Sequence, residues 1–366
     1  MIKNNSRYMI GEKVPLKQVE SAFRQHWRNV ADSDQAVMKA STLNLILFVN
    51  DQKRIRDFLA MLTEVIQHHP GRVIIAANSD KEPDEFTADI SACAQKSGDG
   101  RTQISAEFIV LNAGASGSGR LAGAVLPFLL PDVPVYFWCE DFADLFHPDL
   151  TALLQYTDRL IIQTPDSFES LAALRKTTED ILKLQEECNI SDLRWSELTD
   201  WREAVAQFFD TEQNVHILQN IKEINICYAG ERLSMDAFLI AGWLSETLKT
   251  LPGLKNPQDD IIFFHRSQRG PATITLKKIE NAKIGLQSIK LLAEHENKSV
   301  IFIVKSHSDN TIHATTQIGS TLFPETIIRR TKQSRAQNLC DELDFVQQDE
   351  IYLKTLTAIS RHLDEN

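Results

Sequence analysis

Short, mostly apolar runs at residues 43–49, 71–77, 104–111, 134–138 and 159–163 have the length and the Val/Ile content of strands buried on both faces. Around and between them, apolar positions recur every three to four residues over 16–29, 52–68, 121–130, 150–157 and 167–187, which is the spacing of one helix face. This alternation predicts an α/β fold: an N-terminal layered, mostly parallel sheet with flanking helices. Sheets of that kind place ligand crevices at the carboxyl ends of their strands.

The pattern changes over residues 191–210, where two tryptophans lead into a helical segment ending in Phe208-Phe209-Asp210. Beyond it come a strand at 221–228, an apolar helix at 234–249, strand-like runs at 261–265, 272–279, 284–292, 300–306 and 312–318, and helices at 336–343 and 350–363. Strict alternation over 272–279 predicts antiparallel pairing with one wet face. The expected organisation is an α/β domain over residues 1–215, with a Trp/Arg-rich helical junction at its end, followed by a mixed α+β domain over 216–366. There is no internal repeat and no low-complexity linker.

A chain of 366 residues fits two domains, and 43% apolar with 24% charged residues excludes a disordered or fibrous protein. No apolar stretch approaches the ~20 residues that span a bilayer, and the first eleven residues lack the apolar core of a secretory signal, so a cytoplasmic, membrane-free protein is expected. Five scattered cysteines without a C-x-x-C pair argue against a disulfide framework or a Cys-rich zinc site, and Cys188, in a polar helix end, is the one expected to be exposed. Residues 1–215 carry 21 basic and 32 acidic side chains and residues 216–366 carry 18 of each, so the whole net charge of −11 resides in the first part. Such a surface repels a polyanion, and no nucleic-acid partner is expected.

The most conspicuous local feature is Asn112-Ala-Gly114-Ala-Ser-Gly117-Ser-Gly119-Arg120, between a strand and a helix, where backbone N–H groups could cradle a phosphate. It departs from a P-loop because Arg120 and Leu121 replace the lysine and the hydroxyl that contact phosphate and magnesium. It also misses the dinucleotide fingerprint by one residue and does not open the fold. It reads first as a strand-to-helix turn, with a phosphate loop at Gly117, Gly119 and Arg120 as the alternative. No histidine spacing suits a metal, no G-x-S-x-G elbow is present, and Glu140, Asp141 and Asp144 read as a strand end and a helix start. Catalytic, metal and cofactor residues are therefore expected to be none. The basic run Arg329-Arg330-Thr-Lys332-Gln-Ser-Arg335 reads as a solvated loop or helix start, or else as a docking patch for an acidic surface.

The stretch Leu193-Arg194-Trp195-Ser-Glu-Leu198-Thr199-Asp-Trp201-Arg202 combines helix-start signals with the side chains most frequent at binding hot spots. It reads either as a binding surface or as packing between the two halves, with Thr199 capping the following helix. Together with Ala206-Gln-Phe208-Phe209-Asp210, it resembles the signature of the glucose-6-phosphate dehydrogenase assembly proteins, the OpcA family. His69-Pro-Gly71-Arg72-Val-Ile, the strand Pro134-Val-Tyr-Phe-Trp138, Asp158-Arg159-Leu-Ile-Ile and Ala241-Gly242-Trp243-Leu244 resemble further family segments in the same order. Cys139 and Gly71 depart from it, standing where the family often has Trp and Ser.

The resemblance implies a cytoplasmic, non-catalytic protein that binds glucose-6-phosphate dehydrogenase and promotes its assembly or activity in the oxidative pentose phosphate pathway. It marks Arg194, Trp195, Trp201, Arg202, Asp210 and Trp138 as signature or partner-binding residues. The alternative is a sugar-phosphate- or nucleotide-binding enzyme or sensor using the Gly114–Gly119 loop.

Overall fold

The computed structural model describes residues 7–8, 12–33, 41–79, 87–96, 102–114, 121–210, 212–218, 220–249, 254–255, 261–267, 270–280, 282–308, 310–330, 334–345 and 347–364. The chain forms two compact units, Met1–Gln163 with Glu187–Leu193 and Ser334–Gln348, and Thr164–Glu186 with Arg194–Gln333 and Asp349–Asn366.

The first unit is built on β1 (Leu43–Val49), β2 (Gly71–Ser79), β3 (Thr87–Lys96), β4 (Thr102–Gly114), β5 (Val135–Cys139), β6 (Arg159–Ile162) and β7 (Asn189–Asp192). Six of these run parallel in the order β4-β2-β1-β5-β6-β7; β3 pairs antiparallel with β4, and the short strands Arg7–Tyr8 and Glu12–Val14 pair antiparallel with the other side of β3. Every residue of β1 and β5 is buried, which is why both runs, Asn44 apart, are apolar instead of alternating. Helix α2 (Ile55–His68) and the helix Arg335–Asp344 cover one face, where Leu62, Val65, Leu339 and Cys340 meet Leu45 and Leu47. On the other face Asn44 exchanges hydrogen bonds with the backbone of Leu130, at 3.0 and 2.8 Å, and α1 (Val19–Ser33) brings Phe23 under Arg72. The strand order reverses between β1 and β5, as in doubly wound dinucleotide-binding sheets, whose crevice opens at that point.

The second unit carries a mixed sheet of β8 (Ile221–Ala229), β9 (Ile261–Ser267), β10 (Gly270–Ile279), β11 (Gly285–His295), β12 (Lys298–Ser308), β13 (Thr311–Ile318) and β14 (Thr326–Arg329). The order is β9-β10-β8-β11-β12-β13, with β14 and the short strand Thr321–Leu322 both on β13. The wet-face alternation of β10 predicted antiparallel pairing; β10 is antiparallel to β9 but parallel to β8, because a crossover through α6 (Met235–Thr247) separates β8 from it.

Helices α3 (Leu171–Leu184), α4 (Thr199–Phe209), α5 (Glu212–Leu218) and α7 (Glu350–Asp364) complete this unit. Helix α6 is apolar around its circumference because it is enclosed, with the sheet on one side and α7 on the other. A Cβ on Gly242 would come within 2.5 Å of Ile359 Cγ1 and 2.8 Å of the Thr355 carbonyl, so α6 and α7 touch through that glycine. On α4, Phe208 stacks on Phe302 of β12 with ring centroids 4.3 Å apart. Helix α3 begins later than its pattern predicted, because Ser167–Phe168 pairs with Leu233–Ser234 and Ser170 caps the helix through the Ala173 N–H.

Candidate functional site

The topological switch point of the first unit lies at the ends of β1 and β5. Asn50 and Asp51 follow β1; Asp51 accepts the Lys53 N–H and starts a short helical turn into α2. Glu140, Asp141 and Asp144 follow β5, and Asp141 caps the turn Phe142–Phe146 by accepting the Ala143 N–H at 3.0 Å. The two ends are tied together: Asn50 donates to Asp144, Arg54 pairs with Glu140, and Arg335 donates to the same Glu140 oxygen at 2.8 Å and to Gln163 at 3.3 Å. Arg335 also lies 5.0 Å from the Trp138 ring centroid, and Phe58 meets that ring edge-on. Arg335, in a run expected to be a solvated loop or a helix start, opens the helix Arg335–Asp344 and also covers an aromatic cluster.

This crevice does not fit the pyrophosphate of a dinucleotide. The first turn of such a fold approaches phosphate through glycines, whereas here Asn50-Asp-Gln-Lys-Arg54 has none, and no glycine occurs between Gly11 and Gly71. Four carboxylates, Asp51, Glu140, Asp141 and Asp144, surround the position, and Arg54 and Arg335 are engaged by one of them. Burial, followed by the neighbouring Asp141 charge, raises the Asp144 pKa, a further sign that negative charge is disfavoured there. Gly117, Gly119 and Arg120 lie outside the described residues.

In the second unit the Trp/Arg stretch forms one buried cluster. The Arg194 guanidinium donates to the Thr164 carbonyl at 2.8 Å and pairs with Asp166 and Asp236. Trp195 donates its Nε1–H to Asp349 at 2.8 Å and packs beside Tyr352 of α7. Arg202 covers the other face of Trp195 and donates to Thr199 Oγ1 at 2.8 Å and to the Trp195 carbonyl at 3.3 Å. Trp201 is buried in the α4 core face with Ala204, Val205 and Phe208, and Asp210 is exposed at the C-terminal end of α4. Thr199 does not cap α4: Leu198 holds that position without a side-chain bond, since the Thr199 hydroxyl serves Arg202. Trp138 lies apart from these residues, in the core of the first unit.

Sequence reasoning missed a second charged cluster. Arg72 of β2 is buried against Glu107 of β4, donating from Nε at 2.8 Å, and also reaches Glu20 and the Phe128 carbonyl. Trp27 donates to the same Glu107 at 2.7 Å. The signal was available: a lone Arg and a lone Glu within buried apolar strands require partners. Cys188 is likewise buried, contrary to expectation, because the segment leading into β7 packs beside β6; burial pushes its thiol, and that of Cys340, up to about 11. Among the described residues, no group of three or more His, Cys, Asp or Glu is arranged to hold a metal ion, and no helix is long and apolar enough to cross a membrane.

Two domain families match the chain in sequence. Residues 62–179 match the glucose-6-phosphate dehydrogenase subunit N-terminal domain, and residues 188–356 match the corresponding C-terminal domain. The chain belongs to the OpcA family of glucose-6-phosphate dehydrogenase assembly proteins. An OpcA protein of Synechocystis sp. (strain ATCC 27184 / PCC 6803 / Kazusa), named for the OxPP cycle, is 24% identical over 205 residues, covering 55% of this chain and 42% of that relative. Its counterpart in Nostoc punctiforme is 24% identical over 194 residues, covering 52% and 40%. The match therefore spans less than half the length of either OpcA relative.

Among solved structures, the transcriptional regulator Gal80p of Kluyveromyces lactis has a TM-score of 0.49 at 10% identity, over 89% of this chain and 88% of that one. The yvaA oxidoreductase structure of Bacillus subtilis has a TM-score of 0.46 at 11% identity, over 89% and 97%. Likeness at this level carries no argument about activity.

Proposed function

We propose that this protein is a non-catalytic cytoplasmic partner of glucose-6-phosphate dehydrogenase that promotes the enzyme's assembly or raises its activity at the entry to the oxidative pentose phosphate pathway. The observation that carries this reading is the pair of domain matches, both described as parts of a glucose-6-phosphate dehydrogenase subunit. The switch-point crevice supports it, since its glycine-free turn and carboxylates suit a dinucleotide poorly.

Activation without chemistry is a coupling free energy: the partner binds one state of the enzyme more tightly and shifts the population toward it. Arg194, Trp195 and Trp201 are buried, so in this reading they hold the second unit in shape, while Asp210 stands exposed to a partner.

The test is co-purification with the dehydrogenase of the same organism, followed by its rate against glucose 6-phosphate with and without this protein. A complex with a changed saturation curve or oligomeric state is expected. A dehydrogenase unchanged in both respects at saturating partner would sink the reading.

A further inference from the structure

The strands of the second unit's sheet have two unlike faces. Ile224 and Ile226 of β8, Ile289 and Leu291 of β11, and Phe302 and Val304 of β12 are buried on the side of α4, α5 and α6. The alternate positions are mostly half-buried or exposed. Leu292 lies opposite Ile301, and Ile303 opposite both Lys290 and Thr315, giving this second face an apolar centre. Ile327, opposite His313, is 59% exposed, and Leu322, opposite Gln317, is 69% exposed, so the apolar surface continues to the edge of the sheet.

On this face lysines outnumber carboxylates among the described groups that form no ion pair. Lys277, Lys290 and Lys305 all lie on it, and among the described residues none of them forms an ion pair. Of the carboxylates here, Glu294 is paired with Lys222 and Glu325 lies beside His313, while Glu223 accepts a hydrogen bond from Asn225 and keeps its charge. Three lysines without an ion pair around an apolar centre, against one such carboxylate, stand out on a chain whose net charge is −11.

We infer that this open face is the docking surface for a protein partner that presents carboxylates around an apolar patch. The inference rests on the assembly-partner reading above and names the surface it would use. An apolar centre ringed by charge is the anatomy of a protein interface, and the ring sets partner choice and association rate. A second copy of this chain fits less well, because a two-fold contact sets the same lysine-bearing face against itself. A nucleic acid fits less well too, since the centre offers Leu and Ile where base stacking needs aromatic rings.

The experiment measures the Kd for the dehydrogenase at low and near-physiological salt, using wild type, K290E/K305E, K290R/K305R and Ile327→Asp. The K290E/K305E protein is expected to bind at least tenfold more weakly with an unchanged circular dichroism spectrum, and K290R/K305R to bind within about twofold of wild type. Ile327→Asp, at an exposed edge where folding is not at stake, is expected to weaken binding at least fivefold. The Cys227 thiol, on the same face, should react with maleimide more slowly in the complex.

A wild-type complex that K290E/K305E and Ile327→Asp leave intact overturns the docking face while the assembly reading stands. Wild type that neither binds the dehydrogenase nor changes its rate overturns both. A wild-type dimer in sedimentation that K290E/K305E abolishes assigns the face to a second copy and overturns the acidic partner.

Discussion

The Arg202 guanidinium, in the first turn of α4, lies 3.7 Å from the centroid of the Trp195 ring, seven residues earlier and ahead of that helix. Because the Trp195 indole N–H is fixed by Asp349, the ring cannot turn away, and the cation is presented to its π face. A double-mutant cycle with Trp195→Leu and Arg202→Met is expected to give a coupling of about 1–2 kcal/mol in denaturant unfolding, the range for a partly desolvated cation–π pair. Additive single effects would mean that the stack contributes nothing.

Gly242→Ala tests opposing effects of known size. In an exposed helix the change would stabilise by about 1 kcal/mol through helix propensity. Here the new methyl meets the Thr355 carbonyl, which is backbone and cannot swing aside, and also Ile359. Overpacking of this kind costs about 1–3 kcal/mol, so a net loss and a lower Tm are expected. A higher Tm would show that α6 and α7 can separate freely.

Arg72→Met is expected to be far more damaging. It leaves Glu107 buried in β4 without its cation and deprives the Phe128 carbonyl of a donor. Removing one partner of a buried pair costs about 3–5 kcal/mol, whereas Arg72→Met combined with Glu107→Leu should recover part of that loss. Urea unfolding of the three proteins measures it, and a double variant no better than the single would assign the loss to packing.

What the sequence revealed and what it hid follow from contact range. Residues 43–49 could be recognised as a buried strand because every position but Asn44 is apolar, and the helix around Gly242 because its apolar positions surround it. Strand β3, Thr87–Lys96, went unrecognised because its small and polar residues form no apolar run, and β7 because Asn-Ile-Ser-Asp has no strand signature until β6 pairs with it. The Trp195–Arg202 stretch stood out by composition, yet the groups that hold it, Asp166, Asp236, Asp349 and Tyr352, come from distant parts of the chain. In the same way Arg335 gave no hint of Trp138, nearly two hundred residues earlier, because only the folded sheet brings them together.

Asp144 supplies a prediction in which pH determines the outcome. Its pKa is raised, first by burial and then by the Asp141 charge, against smaller opposing effects of His147 and Asn50. A carboxyl group that holds its proton more tightly when folded adds stability below its unfolded pKa of ~3.9, and that contribution is lost as pH rises through the folded value. At neutral pH the wild type therefore carries a charge that the crevice disfavours. Asp144→Asn keeps an oxygen to accept from Asn50 and removes the charge, so its Tm should exceed that of wild type at pH 7, on the order of 1–2 °C for a protein of this size. The difference should shrink toward zero near pH 4, as Asp144 becomes protonated. A variant that is less stable at pH 7 would mean that the hydrogen bond from Asn50 to the ionised carboxylate outweighs the cost of burying it.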